Sequence, residues 1–212
     1  MSKLPSSLTN VTSREGLLQH PAFERYVVDK INIHYASSKR PPHWQSNWIF
    51  QTAGGSDPGV VSLKLNPTME LRGAEDDTRS MFEVSLVSGV GPVDGHTANK
   101  LISLKTPMPV ADLFDELEIN GLFDYEPVVE SKGSLWWHYG LISWLEQKGY
   151  SVAGSTSDFL QWLAVLSAEI KAVSGGNGQC TPEVDLVLSA RGNFTRGERY
   201  DVHLLLVYGS SD

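Results

Sequence analysis

Cysteine is almost missing from this chain. The single thiol, Cys180, cannot form an internal disulfide, whereas small secreted domains generally staple themselves with several. A reducing compartment, the cytoplasm, is the expected location. The same scarcity excludes thiolate zinc sites and iron–sulfur clusters, which need several sulfur ligands. Positive charge is scarce too. Seventeen basic residues against 25 acidic ones leave a net charge of −8, and a nucleic-acid binder would need a basic face for phosphates. No nucleic-acid partner is expected. Mean hydropathy is −0.19, and no apolar run approaches the roughly 18 residues that cross a bilayer. No membrane span is expected either. The opening Met1-Ser2-Lys3-Leu4-Pro5-Ser6-Ser7 lacks the apolar core of a signal peptide, so the sequon Asn193-Phe194-Thr195 reads as an unmodified turn.

The familiar catalytic motifs are missing as well. There is no Walker loop, dinucleotide fingerprint, His-Glu-x-x-His or Gly-x-Ser-x-Gly elbow. His20, His34, His43, His96, His138 and His203 are scattered, with no pair at metal-ligand spacing. No cofactor and no metal are expected.

What is present is periodicity. The chain, 212 residues long, has room for one domain with a substantial core and not for two of ordinary size. Residues 1–12 are polar and read as a flexible N-terminal arm, leaving 13–212 as a single domain. Ser13–Phe23 suits a short helix capped by Ser13. From Tyr26 the period is two: Val27, Ile31, Ile33 and Tyr35 mark a strand. In Trp44–Thr52, Trp44, Trp48 and Phe50 fall on one side and His43, Gln45 and Asn47 on the other. Beyond the turn signal at Gly54–Gly59, Val61, Leu63 and Leu65 alternate as a hairpin partner. Further strands are expected at Met81–Val87 and Leu101–Lys105, and a helix at Val110–Leu117.

The second half turns helical. Ser134–Gln147 carries Trp137, Leu141, Trp144 and Leu145 at helical spacing, with Gly149 as a stop signal. Ser155–Val173 opens on Ser155 with Asp158 three positions on, a capping-box pattern. Its apolar residues wrap nearly all round, which predicts burial in a core or a partner. Val184–Ser189 and Tyr200–Tyr208 read as a final hairpin. The expected fold is α+β, a mainly antiparallel sheet packed against two or three helices.

Two places suggest chemistry. In Pro42-His43-Trp44 a histidine opens a strand; in Gly133-Ser134-Leu135-Trp136-Trp137 a small hydroxyl residue opens a tryptophan-rich helix. A nucleophile at a helix N-terminus gains from the positive end of the macrodipole, free backbone N–H groups there can hold an oxyanion, and a facing histidine can act as base. Each residue also has a plainer role. Ser134 suits a helix cap, His43 can serve a loop carbonyl, and tryptophans usually fill cores.

The pattern of His43-Trp44, Val61-Ser62-Leu63, Gly133-Ser134-Leu135-Trp136-Trp137 and Gly149-Tyr150 resembles a family of small fungal proteins, over roughly residues 26–165. The element order, early-strand histidine before a later helix-opening nucleophile, is also similar to a circularly permuted papain-like fold. The family pattern has cysteine where this chain has Ser134, and a basic residue where it has Leu135. A serine hydroxyl is far less acidic than a thiol, whose pKa is about 8.5, so thiol chemistry is not expected.

The expected function is a cofactor-independent cyclase or isomerase, of the Diels–Alder pericyclase type, acting on a bulky apolar metabolite. The resemblance implies fungal secondary metabolism. Such catalysis needs a preorganised pocket rather than a nucleophile. His43, Ser134, His138 and Tyr139 are the candidate catalytic groups, with Trp44, Trp48, Trp136, Trp137 and Trp144 as the candidate substrate-binding wall. One alternative is a hydrolase or acyltransferase using Ser134 and His43. Another is a non-enzymatic binding module, homodimeric through Ser155–Val173 or the C-terminal hairpin.

Overall fold

A computed structural model describes residues 26–36, 43–52, 61–68, 81–88, 96–123, 125–127, 134–173 and 192–194. The expected N-terminal arm, the helix at 13–23, Cys180 and the C-terminal hairpin lie outside the described residues.

Five strands form one antiparallel sheet: β1 (Tyr26–Ala36), β2 (His43–Thr52), β3 (Val61–Thr68), β4 (Met81–Ser88) and β5 (His96–Pro109). Their order is β4-β3-β2-β1-β5. β1 to β4 thus form a meander, and β5 returns to pair with the free side of β1. Three helices follow: α1 (Val110–Ile119), α2 (Ser134–Gln147) and α3 (Ser155–Val173). A small two-stranded sheet pairs β6 (Tyr125–Pro127) with β7 (Gly192–Phe194). The domain is α+β, as its periodicity predicts. Asn193 is paired with Glu126 in β7, so this part of the sequon is a strand rather than a turn.

Register decides which side chains meet. Ile31, Ile33 and Tyr35 of β1 stand opposite Trp48, Ser46 and Trp44 of β2, and Ile31 stands opposite Ile102 of β5. A one-residue bulge between Val28 and Lys30 leaves Asp29 outside the ladder, and such an extra residue bends and twists its strand. Val28, on the far side of it, still belongs to the core. The helices pack on this apolar face. Trp48 meets Phe114 of α1 with ring centroids 5.9 Å apart, and Trp44 meets Trp162 of α3 edge-on at 5.9 Å, both within the range of favourable aromatic pairs.

α2 is the most enclosed element. Every residue from Leu135 to Leu145 is buried. A helix shielded all round in this way belongs at the centre of a domain. α3 differs from its expectation: Phe159, Leu163 and Leu166 are buried, but Val165 is 52% exposed. It is therefore a one-faced surface helix.

Both α1 and α2 end on a glycine in the left-handed region, Gly121 at φ 71° and Gly149 at φ 77°. At the end of α2, Tyr150 N donates to Leu145 O (2.8 Å) and Gly149 N to Glu146 O (2.9 Å). This is the paired bonding of a Schellman stop, with the Tyr150 ring 5.4 Å from Trp144 as its accompanying apolar contact. Lys105 N then donates to Tyr150 O at 2.7 Å, which ties the turn to β5.

The start of α3 is capped from a distance. Glu146 accepts from Gly154 N (2.5 Å) and Thr156 N (2.8 Å). Ser155 does not form the expected capping box; its hydroxyl donates to Val152 O at 2.7 Å, and Asp158 pairs instead with Lys100 at 2.5 Å. Burial alone would raise the Glu146 carboxyl pKa. The hydrogen bonds from Thr156 and Gly154 and the charge of Lys105 outweigh it, holding the pKa below the ordinary 4.5.

Candidate functional site

The candidate tryptophans converge, but on the core. Trp48, Trp137 and Trp144 are each 0% exposed, so no part of them meets solvent or a void wide enough for a water molecule. Trp137 Nε1 donates to Leu122 O at 2.8 Å, joining α2 to the turn after α1. Trp48 Nε1 donates to Ser46 Oγ at 3.3 Å within its own strand. Trp144 Nε1 has no hydrogen-bond partner among the described residues. In this state none of the three offers a wall to a ligand. Trp44 stacks at a tilt on Tyr35, 5.0 Å between centroids, and Trp136 stacks on Tyr139 at 5.3 Å. These residues are buried as well.

His138 lies fully buried with its ring edge-on to Trp137 at 5.0 Å, so it and Tyr139 share the packed helix rather than an open cleft. His43 is the first residue of β2, paired with Ala36, and Ser134 opens α2. The side chains of His43 and Ser134 lie outside the described part of the structure.

A different set of residues draws together on the opposite face of the sheet. The alternation that points Ile31, Ile33, Trp44 and Trp48 at the helices turns Asn32, His34, Gln45 and Asn47 away from them. Asn32 stands opposite Asn47, and His34 opposite Gln45. The four form a compact square across two strands, since opposed Cβ atoms in an antiparallel pair are about 4.5–5.5 Å apart. Asn47 Nδ2 lies 3.1 Å from His34 Nε2 along the diagonal. An amide nitrogen donates, and the imidazole Nε2 accepts from it in the tautomer that carries its proton on Nδ1.

These polar groups are not at the surface. Asn32, His34, Gln45 and Asn47 are 8%, 2%, 3% and 4% exposed. The Oδ1 atoms of Asn32 and Asn47 accept no hydrogen bond among the described residues. Leaving a buried acceptor unsatisfied costs about 1–3 kcal/mol, so two side by side are an expense that most folds avoid. The burial ends at β5. Leu101, opposite Asn32 on β5, is 47% exposed, and Asn99, opposite His34, is exposed.

Sequence reasoning puts Gln45 and Asn47 on the outward side of β2 and does not single out Asn32 or His34. The signal available was the repetition of polar residues, Asn32 and His34 in one strand and Gln45 and Asn47 in the next, in strands that then pair. Among the described residues no three His, Cys, Asp or Glu side chains cluster as a metal site requires, and no helix is long and apolar enough to cross a membrane. Comparison of the chain with protein-family models, curated proteins and solved structures found no match.

Proposed function

We propose that this chain is a cofactor-independent isomerase or cyclase of a small, largely apolar metabolite, with its reacting group held on the polar face of the sheet beside His34. The observation that carries this reading is the His34 imidazole, its Nε2 3.1 Å from the Asn47 amide inside a square of buried side chains that bring no carboxylate or ammonium group. A neutral imidazole is the side chain best suited to take up a proton and return it near neutral pH. The surrounding amide dipoles act in a medium of low dielectric, where they stabilise developing charge strongly. When the Asn47 amide turns aside, Nε2 becomes available to a substrate proton, which the ring returns at a second position of the same molecule. Nothing is gained or lost overall, so no cofactor is called for. The proposed setting, fungal secondary metabolism, rests only on the resemblance carried by His43-Trp44, Val61–Leu63, Gly133–Trp137 and Gly149-Tyr150.

The test is a product analysis. Purified protein, dialysed against a chelator, is incubated with an apolar metabolite extract of a filamentous fungus, and the mixture is followed by liquid chromatography and mass spectrometry. The expected result is loss of one compound and growth of another of identical mass at a new retention time. The conversion should be absent with a folded His34→Gln variant. A product heavier by one water would establish hydrolysis and refute the proposal. So would conversion that survives in His34→Gln, or no conversion at all, which would leave the binding-module reading.

A further inference from the structure

From the unsatisfied amides and the rim beside them we infer that the polar face takes a neutral amphiphile entering over the β5 edge. Two adjacent hydroxyl or N–H donors of the ligand bind Asn32 and Asn47, and its apolar body lies against Leu101. The inference rests on the functional reading above for the location of the site and adds to it the chemistry of the ligand.

Three observations converge. First, the site holds two acceptors to be served: the Asn32 and Asn47 Oδ1 atoms have no donor among the described residues. They belong to directly opposed residues, so one ligand group with two neighbouring O–H or N–H bonds can serve both. Second, the square itself is uncharged. A fully ionised ligand buried there would lose its hydration without a counter-charge from these four residues, a loss that neutral dipoles do not offset. The nearest described charges on β1, Asp29 and Lys30, lie 3.9 Å from one another and compensate each other. Lys64 occupies the register position opposite Asn47 on β3, which makes an anionic competitor the informative control. Third, the enclosure has an open side. Asn32 is 8% exposed while its neighbour across the ladder, Leu101, is 47% exposed. β5 is an edge strand, so a ligand reaches Asn32 from this side without crossing the sheet. A large exposed aliphatic group at the rim of a buried polar cluster is what an amphiphile covers on binding.

The experiment uses four eight-carbon probes, 1,2-octanediol, octanamide, octanoate and octylammonium. Each is titrated into the full chain labelled with nitrogen-15, with the side-chain amide signals of Asn32 and Asn47 as the readout. The diol and the amide should shift both signals in saturable fashion, and the two ions should not. Asn32→Leu should weaken the diol about tenfold, the equivalent of one lost hydrogen bond. Leu101→Ser should weaken it about three- to tenfold while 1,2-butanediol, too short to reach the rim, shows no difference between the two proteins. Asn32→Asp should reverse the preference toward octylammonium. Binding of octanoate at least as tight as the diol, or no saturable shift with either neutral probe, overturns the inference. That failure is separate from failure of the proposed catalysis. Loss of isomer formation in His34→Gln with no diol binding would retain the function and reject the ligand class. Diol binding without any conversion would do the reverse.

Discussion

The two faces of β1 and β2 are built from the same strands in the same register, yet they are stabilised in opposite ways. On the helix side, Ile31, Ile33, Tyr35, Trp44 and Trp48 join a continuous apolar core, where every methylene removed from water is favourable. On the other side, Asn32, His34, Gln45 and Asn47 are as thoroughly enclosed but bring amide and imidazole groups whose burial is costly unless each is bonded. The first face contributes stability. The second consumes some of it, and proteins tend to tolerate such local cost where a site needs prearranged polar groups.

The contrast can be broken by mutation, and the largest effect belongs to the core. Trp137→Ala should destabilise the protein by about 3–5 kcal/mol, because the indole is fully buried and also joins α2 to Leu122; urea denaturation measures this. A loss under 1 kcal/mol would show that the helix side is not the packed core described above. Asn32→Leu is the mirror experiment. It replaces an unsatisfied acceptor by an apolar group of similar size and should raise stability by about 1–3 kcal/mol while weakening the diol about tenfold. Clear destabilisation would mean that the Asn32 amide is satisfied in solution and that the polar face is structural.

Smaller effects sharpen the picture at the helix ends. Glu146→Ala removes the cap of α3 and should cost about 1 kcal/mol at neutral pH. The Glu146 carboxyl has a folded-state pKa below its ordinary 4.5. Its stabilisation is therefore complete above that value and disappears as pH falls through the lower, folded-state pKa. Glu146→Gln should flatten this part of the acid limb, and an unchanged acid limb would remove Glu146 from the account. The smallest expected effect is that of the Lys100–Asp158 pair. Asp158 is 63% exposed in this pair, and exposed ion pairs contribute about 0–1 kcal/mol and weaken with salt. A double-mutant cycle at low and high ionic strength should find a coupling within that range that shrinks as salt is added.

The strands and helices were largely legible in the chain. Alternation located β1 and β2, and helical spacing with the Gly149 stop located α2 from Ser134 to Gln147. β5 proved longer than its apolar alternation at Leu101–Lys105, because its ladder with β1 runs from Ala36 to Val27 and backbone hydrogen bonds need no particular side chain. Burial was less legible. The apolar surround of Ser155–Val173 suggests an enclosed helix, but Val165 faces outward, and α2 takes the central place with His138 and Ser143 buried along it. A polar residue on a strand looks solvent-facing in sequence, so the outward side of β2, with Gln45 and Asn47, gives no sign of its burial. Glu146 as the cap of Thr156, ten residues on, carries no local signature.

Sequence by itself determined the class of this domain, the place of its main elements and which side chains share a face, because these follow from the fixed geometry of strand and helix, repeating every two or 3.6 residues. Only the tertiary structure decided what lies over each face. Enclosure depends on segments distant in the chain, and a pattern of alternation reads the same whether the polar side meets water or is sealed from it. That is why the tryptophans, conspicuous in sequence, became core, and four modest polar residues became the candidate site.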